Sequence, residues 1–229
     1  MKTSTIKLTL PLALAGLLAA CSSGPRAPDW QLEAKGSMDR SVAAYMEGNS
    51  RVEMAELERA RTQLTRSGRA DLLATAELRH CATRVASLVF DEPCAAFHKL
   101  RPDATEAQRA YADYLKGQLQ PQGIALLPEA QRAAAAGNAG ALQGIADPLS
   151  KLVAAGVMLQ TGKATPDVIA EAIETSSAQG WRRPLLAWLG VQLRRAEQAG
   201  DAQAAERLRR RIELTQGTSA AARPPVTKP

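Results

Sequence analysis

The amino-acid sequence predicts an all-α protein, and three observations predict it. About a fifth of the 229 residues are Ala, the best helix former, while aromatic residues make up only 3%. Gly and Pro recur as stops and starts between runs that carry helix-capping residues. No stretch alternates apolar and polar residues between turn signals, so a sheet has no candidate strands. With 45% hydrophobic and 23% charged residues, the chain is neither a disordered acidic tail nor a collagen-like repeat. Three Cys are too few for a disulfide-dense mini-protein.

The elements follow in order. Ser37 is placed to cap a first helix that stops at Gly48. Ser50 caps a second, with Val52, Met54, Leu57 and Leu64 as its apolar side and Gly68 as its stop. A third runs from Ala70 through Leu72, Leu73, Ala76 and Val85 towards Leu88 and Val89. Asp91-Glu92-Pro93 has the order of cap, acidic first turn and early Pro that opens another helix. Thr105 and Gln108 make a capping box ahead of Tyr111, Tyr114 and Leu115. Pro128, Pro148 and Pro166 stand where a first-turn Pro is tolerated, the last two behind Asp147 and Thr165 as caps. They place helices over 128–136, 148–160 and 166–179. The last pair covers 183–199 and 202–214, divided by Gly200-Asp201.

Such helices, joined by short breaks, suit antiparallel hairpins stacked in sequence. In the last pair Leu185, Leu186, Trp188, Leu189 and Leu193 line one helix, and Ala205 and Leu208 face them. Gly200-Asp201 with Ala205, and Leu189-Gly190 before them, resemble the turn and small-residue contact of a tetratricopeptide repeat. The first helix of the pair is longer than that pattern, and no 34-residue period runs through the chain. The expected architecture is therefore either a tetratricopeptide-like α-solenoid or an irregular α-helical bundle.

The start of the chain reads as an address. Lys2 and Lys7 precede an uncharged run from Leu8 to Ala20, thirteen residues where a membrane span needs about twenty. Leu18-Ala19-Ala20-Cys21 resembles a bacterial lipobox. The resemblance implies cleavage before Cys21, acylation of its thiol and new amine, and stable anchoring through more than one acyl chain. Ser22, rather than Asp, follows the Cys, which among enterobacterial lipoproteins implies the periplasmic face of the outer membrane. A conventional cleaved signal with an incidental Cys is the competing reading. The expected organisation is a signal peptide over 1–20, a lipidated Cys and Pro/Gly/Ser-bearing tether over 21–36, a helical domain over 37–215 with a possible subdivision near 120–128, and a disordered tail over 216–229.

Two further Cys remain, Cys81 and Cys94. In an exported protein an even remainder suggests a disulfide, and the spacing allows one if the third helix stops near Ser87. A loop of this size contributes about 3 kcal/mol at most. The alternative is a metal site built from His80, Cys81, Cys94 and His98, which together hold both His of the protein. Glu77-Leu-Arg-His80 has one Glu-x-x-His where a di-iron bundle needs two, so it reads as an exposed helix face. No zinc-protease, nucleophile-elbow or phosphate-loop motif occurs. The acidic residues show no pattern and read mostly as solvated helix faces.

Charge is uneven. Residues 22–180 hold 17 basic and 19 acidic residues, whereas residues 181–229 hold 10 basic and 4 acidic. Arg182, Arg183, Arg194, Arg195, Arg207, Arg209, Arg210 and Arg211 concentrate the excess on the last helical pair, as a stripe for anionic lipid, cell-wall polymer or an acidic protein, or simply as a solubilising surface. An envelope location disfavours nucleic acid. The sequence therefore points to a non-catalytic, cofactor-free scaffold tethered by lipid in the cell envelope, with Tyr111, Tyr114, Trp181 and Trp188 as groove or core aromatics. In layout it resembles tetratricopeptide pilotins and barrel-assembly lipoproteins. The second expectation is an enzyme or binding protein for cell-wall material, using carboxylates or the His/Cys cluster.

Overall fold

The computed structural model describes residues 27–91 and 94–221, all helix and loop, with no strand among them. The expected signal peptide, Cys21, the first part of the expected tether, Glu92-Pro93 and the last residues of the expected tail lie outside the described residues. Ten α-helices appear: α1 Asp29–Glu47, α2 Ser50–Arg66, α3 Ala70–Ala86, α4 Ala95–His98, α5 Glu106–Leu115, α6 Glu129–Ala135, α7 Pro148–Gln160, α8 Pro166–Ala178, α9 Arg182–Gln198 and α10 Ala202–Ala221. Three short 3-10 turns join them at Arg101–Asp103, Pro121–Leu126 and Ala139–Gly144.

Local capping explains most of these boundaries. Thr105 and Gln108 exchange both bonds of the capping box that opens α5. Asp147 accepts from the Ser150 N–H at 2.7 Å and Thr165 from the Val168 N–H at 3.4 Å, opening α7 and α8. Asp201 caps α10 through the Ala204 N–H at 2.8 Å, after Gly200 turns the chain at φ 71°.

Four expectations are corrected. α1 begins at Asp29, so the second half of the expected tether is helical. The Pro28 carbonyl takes the first bonds of the helix, Asp29 complements its positive end, and Ser37 is buried within it instead of capping it. α2 is capped by Asn49, and Val52 and Met54 are exposed. Its buried face runs through Glu53, Glu56, Leu57, Ala60 and Leu64, a helical spacing that leaves 52 and 54 on either flank. Cys94 caps α4, which replaces the helix expected to open at Asp91. α10 continues past Leu214 to Ala221, because elongating a helix already seated on α9 through Ala205, Leu208 and Ile212 costs little.

The core is built around α3, which packs against α1, α2, α5 and α7. From α7 onward the helices follow as antiparallel neighbours, α7 on α8, α8 on α9, α9 on α10. α9 also turns back onto α1, where the Arg183 Nε donates to the Tyr45 carbonyl at 2.7 Å. The hairpins therefore close on themselves as a bundle. Leu127, in the stretch where a subdivision was expected, is buried in the same core as Leu115 and Leu152.

The α3–α7 crossing is the tightest point. A methyl group on Gly156 would lie 2.4 Å from the Val85 carbonyl oxygen, well inside contact distance. Ala154 and Ala155 beside it and Ala82 and Ala86 opposite are fully or almost fully buried. Gly156→Ala should therefore cost about 1–3 kcal/mol, read as a lower urea midpoint at unchanged slope. Gly144→Ala, where a methyl group meets nothing within 4 Å, should leave the midpoint nearly unchanged.

Candidate functional site

Three arrangements of side chains decide what this bundle can do. The first surrounds the Cys pair. α3 ends at Ala86, and Leu88 takes the left-handed conformation, φ 62°, that swings the chain round. Cys94 returns to Cys81 with their Cα atoms 4.9 Å apart, and the two form a disulfide. Both sulfurs are thereby used. His80 faces Glu53 at 3.2 Å and the exposed His98 faces Lys116, so the four residues of the metal alternative do not converge. Among the described residues no cluster of His, Cys, Asp and Glu is arranged to hold a metal ion.

The second is an ionic seam on α2, flanked by α1 and α3. Glu53 is buried and accepts from Arg84 at 2.5 Å, with His80 on the same oxygen. Glu77 is buried and takes both prongs of Arg61, at 2.6 and 2.8 Å. Glu56, also buried, binds Arg40 at 2.9 Å and Arg59 at 2.5 Å. Glu77 and His80 are thus not an exposed face, and these carboxylates are not solvated. The sequence signal that finds them is positional: 53, 56, 57, 60 and 64 share one face of α2, so two Glu fall on its buried side. Arg84 and Arg183 also sandwich the Tyr45 ring, at 4.3 and 4.2 Å from its centre.

The basic stripe divides. Arg183 is spent on Tyr45 and Ser50, and the Arg182 guanidinium lies over Gly48 at the end of α1. Arg209 pairs with Glu197, Arg210 with Glu206, and Arg211 bonds Ser177. Arg194, Arg195 and Arg207 are exposed and make no ion pair among the described residues.

The third is a cleft of about 870 Å³ between α3, α5, the start of α7 and the α8–α9 turn. Its volume lies in the range of small-molecule sites. Val42, Leu78, Leu127 and Val153 are buried at its surface; Leu126, Pro128 and Leu149 stand nearer the solvent. Tyr111 and Trp181 line it, whereas Tyr114 and Trp188 belong to the core. The Tyr114 hydroxyl donates to Gln131 and the Trp188 indole to the Ala86 carbonyl. Burial, with the Asp147 carboxyl nearby, pushes the Tyr111 phenol above its ordinary range, so it stays a neutral donor.

The seam predicts an acid response. The Arg40 guanidinium, bonded directly and backed by Arg59, holds the Glu56 carboxyl below its ordinary 4.5. A lowered acid stabilises the fold fully above that ordinary value and loses the contribution as pH falls through the lowered one. Urea midpoints taken between about pH 5 and 3 should fall, and Glu56→Gln should flatten that slope. Glu77→Gln, which strips Arg61 of its charged partner, should cost about 2–3 kcal/mol at neutral pH.

No protein-family model, no curated protein and no solved structure matches this chain.

Proposed function

We propose that the chain is a lipid-anchored protein of the cell envelope that holds an envelope component by binding, without making or breaking bonds. The observation that carries the binding role is the cleft. Its charged side chains are already committed: Arg79 pairs with Asp39 at 2.7 Å, and Asp147 accepts the Ser150 N–H. Tyr111 keeps its proton. Groups held in this way position a ligand and are poorly placed to exchange protons with it. The buried carboxylates of the seam are likewise locked to Arg, which counts against the carboxylate enzyme of the second expectation.

The anchor is supported by Leu18-Ala19-Ala20-Cys21, and the outer-membrane, periplasm-facing location by Ser22 after it. No described helix is long and apolar enough to cross a membrane; the proposed attachment is through the acyl chains on Cys21. Arg194, Arg195 and Arg207 supply free positive charge for anionic headgroups or cell-wall polymer close to that membrane.

The tether has a direct test. Cells given labelled palmitate should incorporate it into the wild-type protein and not into Cys21→Ser. The wild type should sediment with membranes and be released by detergent. A Cys21→Ser protein that still carries label would remove the anchor from the proposal.

A further inference from the structure

We propose that the occupant of the cleft is the acyl chain of an uncharged lipid ester presented by the membrane. This inference rests on the reading of the chain as a membrane-tethered binding protein and names what it holds.

The cleft offers aliphatic surface from four directions: Val42 of α1, Leu78 of α3, Leu126 of the preceding turn, and Leu149 and Val153 of α7. Pro128 and Pro148, also on its lining, bring no backbone N–H. Half of the polar side chains around it are satisfied within the protein, while those of Ser150, Gln179, Tyr111 and Trp181 have no partner among the described residues. Gln108 is bonded to Thr105, Thr75 and the Asp71 carbonyl, Arg79 to Asp39, and Asp147 to the first turn of α7.

An extended peptide would bring one N–H and one C=O per residue into this space, and the aliphatic walls at Val42, Leu78, Leu126, Leu149 and Val153 offer them no side-chain partner. A hydrocarbon brings none. Among the described residues the Tyr111 hydroxyl and the Trp181 indole N–H have no hydrogen-bond partner, and both are donors. They suit a ligand that carries an acceptor such as an ester carbonyl. With Arg79 neutralised and Asp147 acidic, the cleft has no free positive charge for a carboxylate, which favours the ester over the free fatty acid. A volume of about 870 Å³ accommodates such a chain.

The test uses the full chain, purified from membranes and kept soluble in an amphipathic polymer. The probe is methyl palmitate with a diazirine at the end of its chain. After irradiation, adducts should map to Tyr111, Leu126 and Leu149, and excess plain methyl palmitate should remove them. Free palmitate should compete about tenfold less well. Leu126→Gln, at a position 40% exposed and therefore tolerant of a polar residue, should cut the yield about tenfold. Leu214→Gln, at a 74% exposed site on α10, should change nothing.

Adducts scattered over the surface, competition by free palmitate equal to the ester, or full labelling of Leu126→Gln would each overturn the inference. The Cys21→Ser chain should label like the acylated one. If only the Cys21→Ser chain takes the probe, the protein's own anchor fills the cleft, and a lipid supplied by the membrane is overturned. None of these failures touches palmitate incorporation at Cys21, so the tether and the occupant of the cleft stand or fall separately.

Discussion

The structure depends on the last turn of α3. Three things must meet there: the Val85 carbonyl accepts the close approach of α7 at Gly156, the Ala86 carbonyl receives the buried indole N–H of Trp188 from α9, and the chain reverses at Leu88 towards the disulfide. Backbone carbonyls at a helix end have no partner of their own in the helix. Here one of them is satisfied by the element that the fold must dock. The contact is therefore both a packing site and a specification of which helix belongs on it. With Trp188 and Leu189 wholly buried, α9 is committed to the body of the protein, and α10 follows as a helix laid on its outer side.

The ionic seam plays a different part. Burying three carboxylates is costly, and their Arg partners largely offset the loss of hydration without a large surplus. Two apolar faces would hold α2 and α3 together at least as firmly. What charge pairs add is register: Arg61 and Glu77 meet through two parallel bonds, and Arg84 meets Glu53 while also covering Tyr45, so a helix slipped by one turn would strand several charges at once. The small residues between α1 and α2, with the Ser41 hydroxyl bonded to the Glu53 carbonyl, then allow the hairpin to close tightly beside the seam.

These origins explain what could be read from the sequence. Caps act within four residues, so Thr105-Gln108, Asp147 and Thr165 announced α5, α7 and α8 without any knowledge of the fold. The disulfide was legible because it needed only one local condition, the end of α3 near Ser87. The seam was legible only in half: the spacing with Leu57, Ala60 and Leu64 puts Glu53 and Glu56 on the buried side of α2, but Arg84 and Arg40 reach them from other helices. Gly156 was silent, for its role depends on the Val85 carbonyl, far earlier in the chain. Of the four aromatic residues singled out, two line the cleft and two fill the core, a division that only tertiary packing makes.

The same packing separates the two surfaces that remain available. Of the eight Arg on the last helical pair, Arg182 and Arg183 are drawn against α1, and Arg209, Arg210 and Arg211 are engaged by Glu197, Glu206 and Ser177. Only Arg209 and Arg210 meet a carboxylate; Arg182, Arg183 and Arg211 are held against neutral groups and keep their charge, as do the exposed Arg194, Arg195 and Arg207. Both side chains at the start of α9, Arg182 and Arg183, turn towards α1, and neither lines the cleft, although Trp181 beside them does. The contact that closes the bundle, α9 on α1, therefore also keeps these two guanidiniums out of the lining of the cleft and leaves its wall at that end to Trp181.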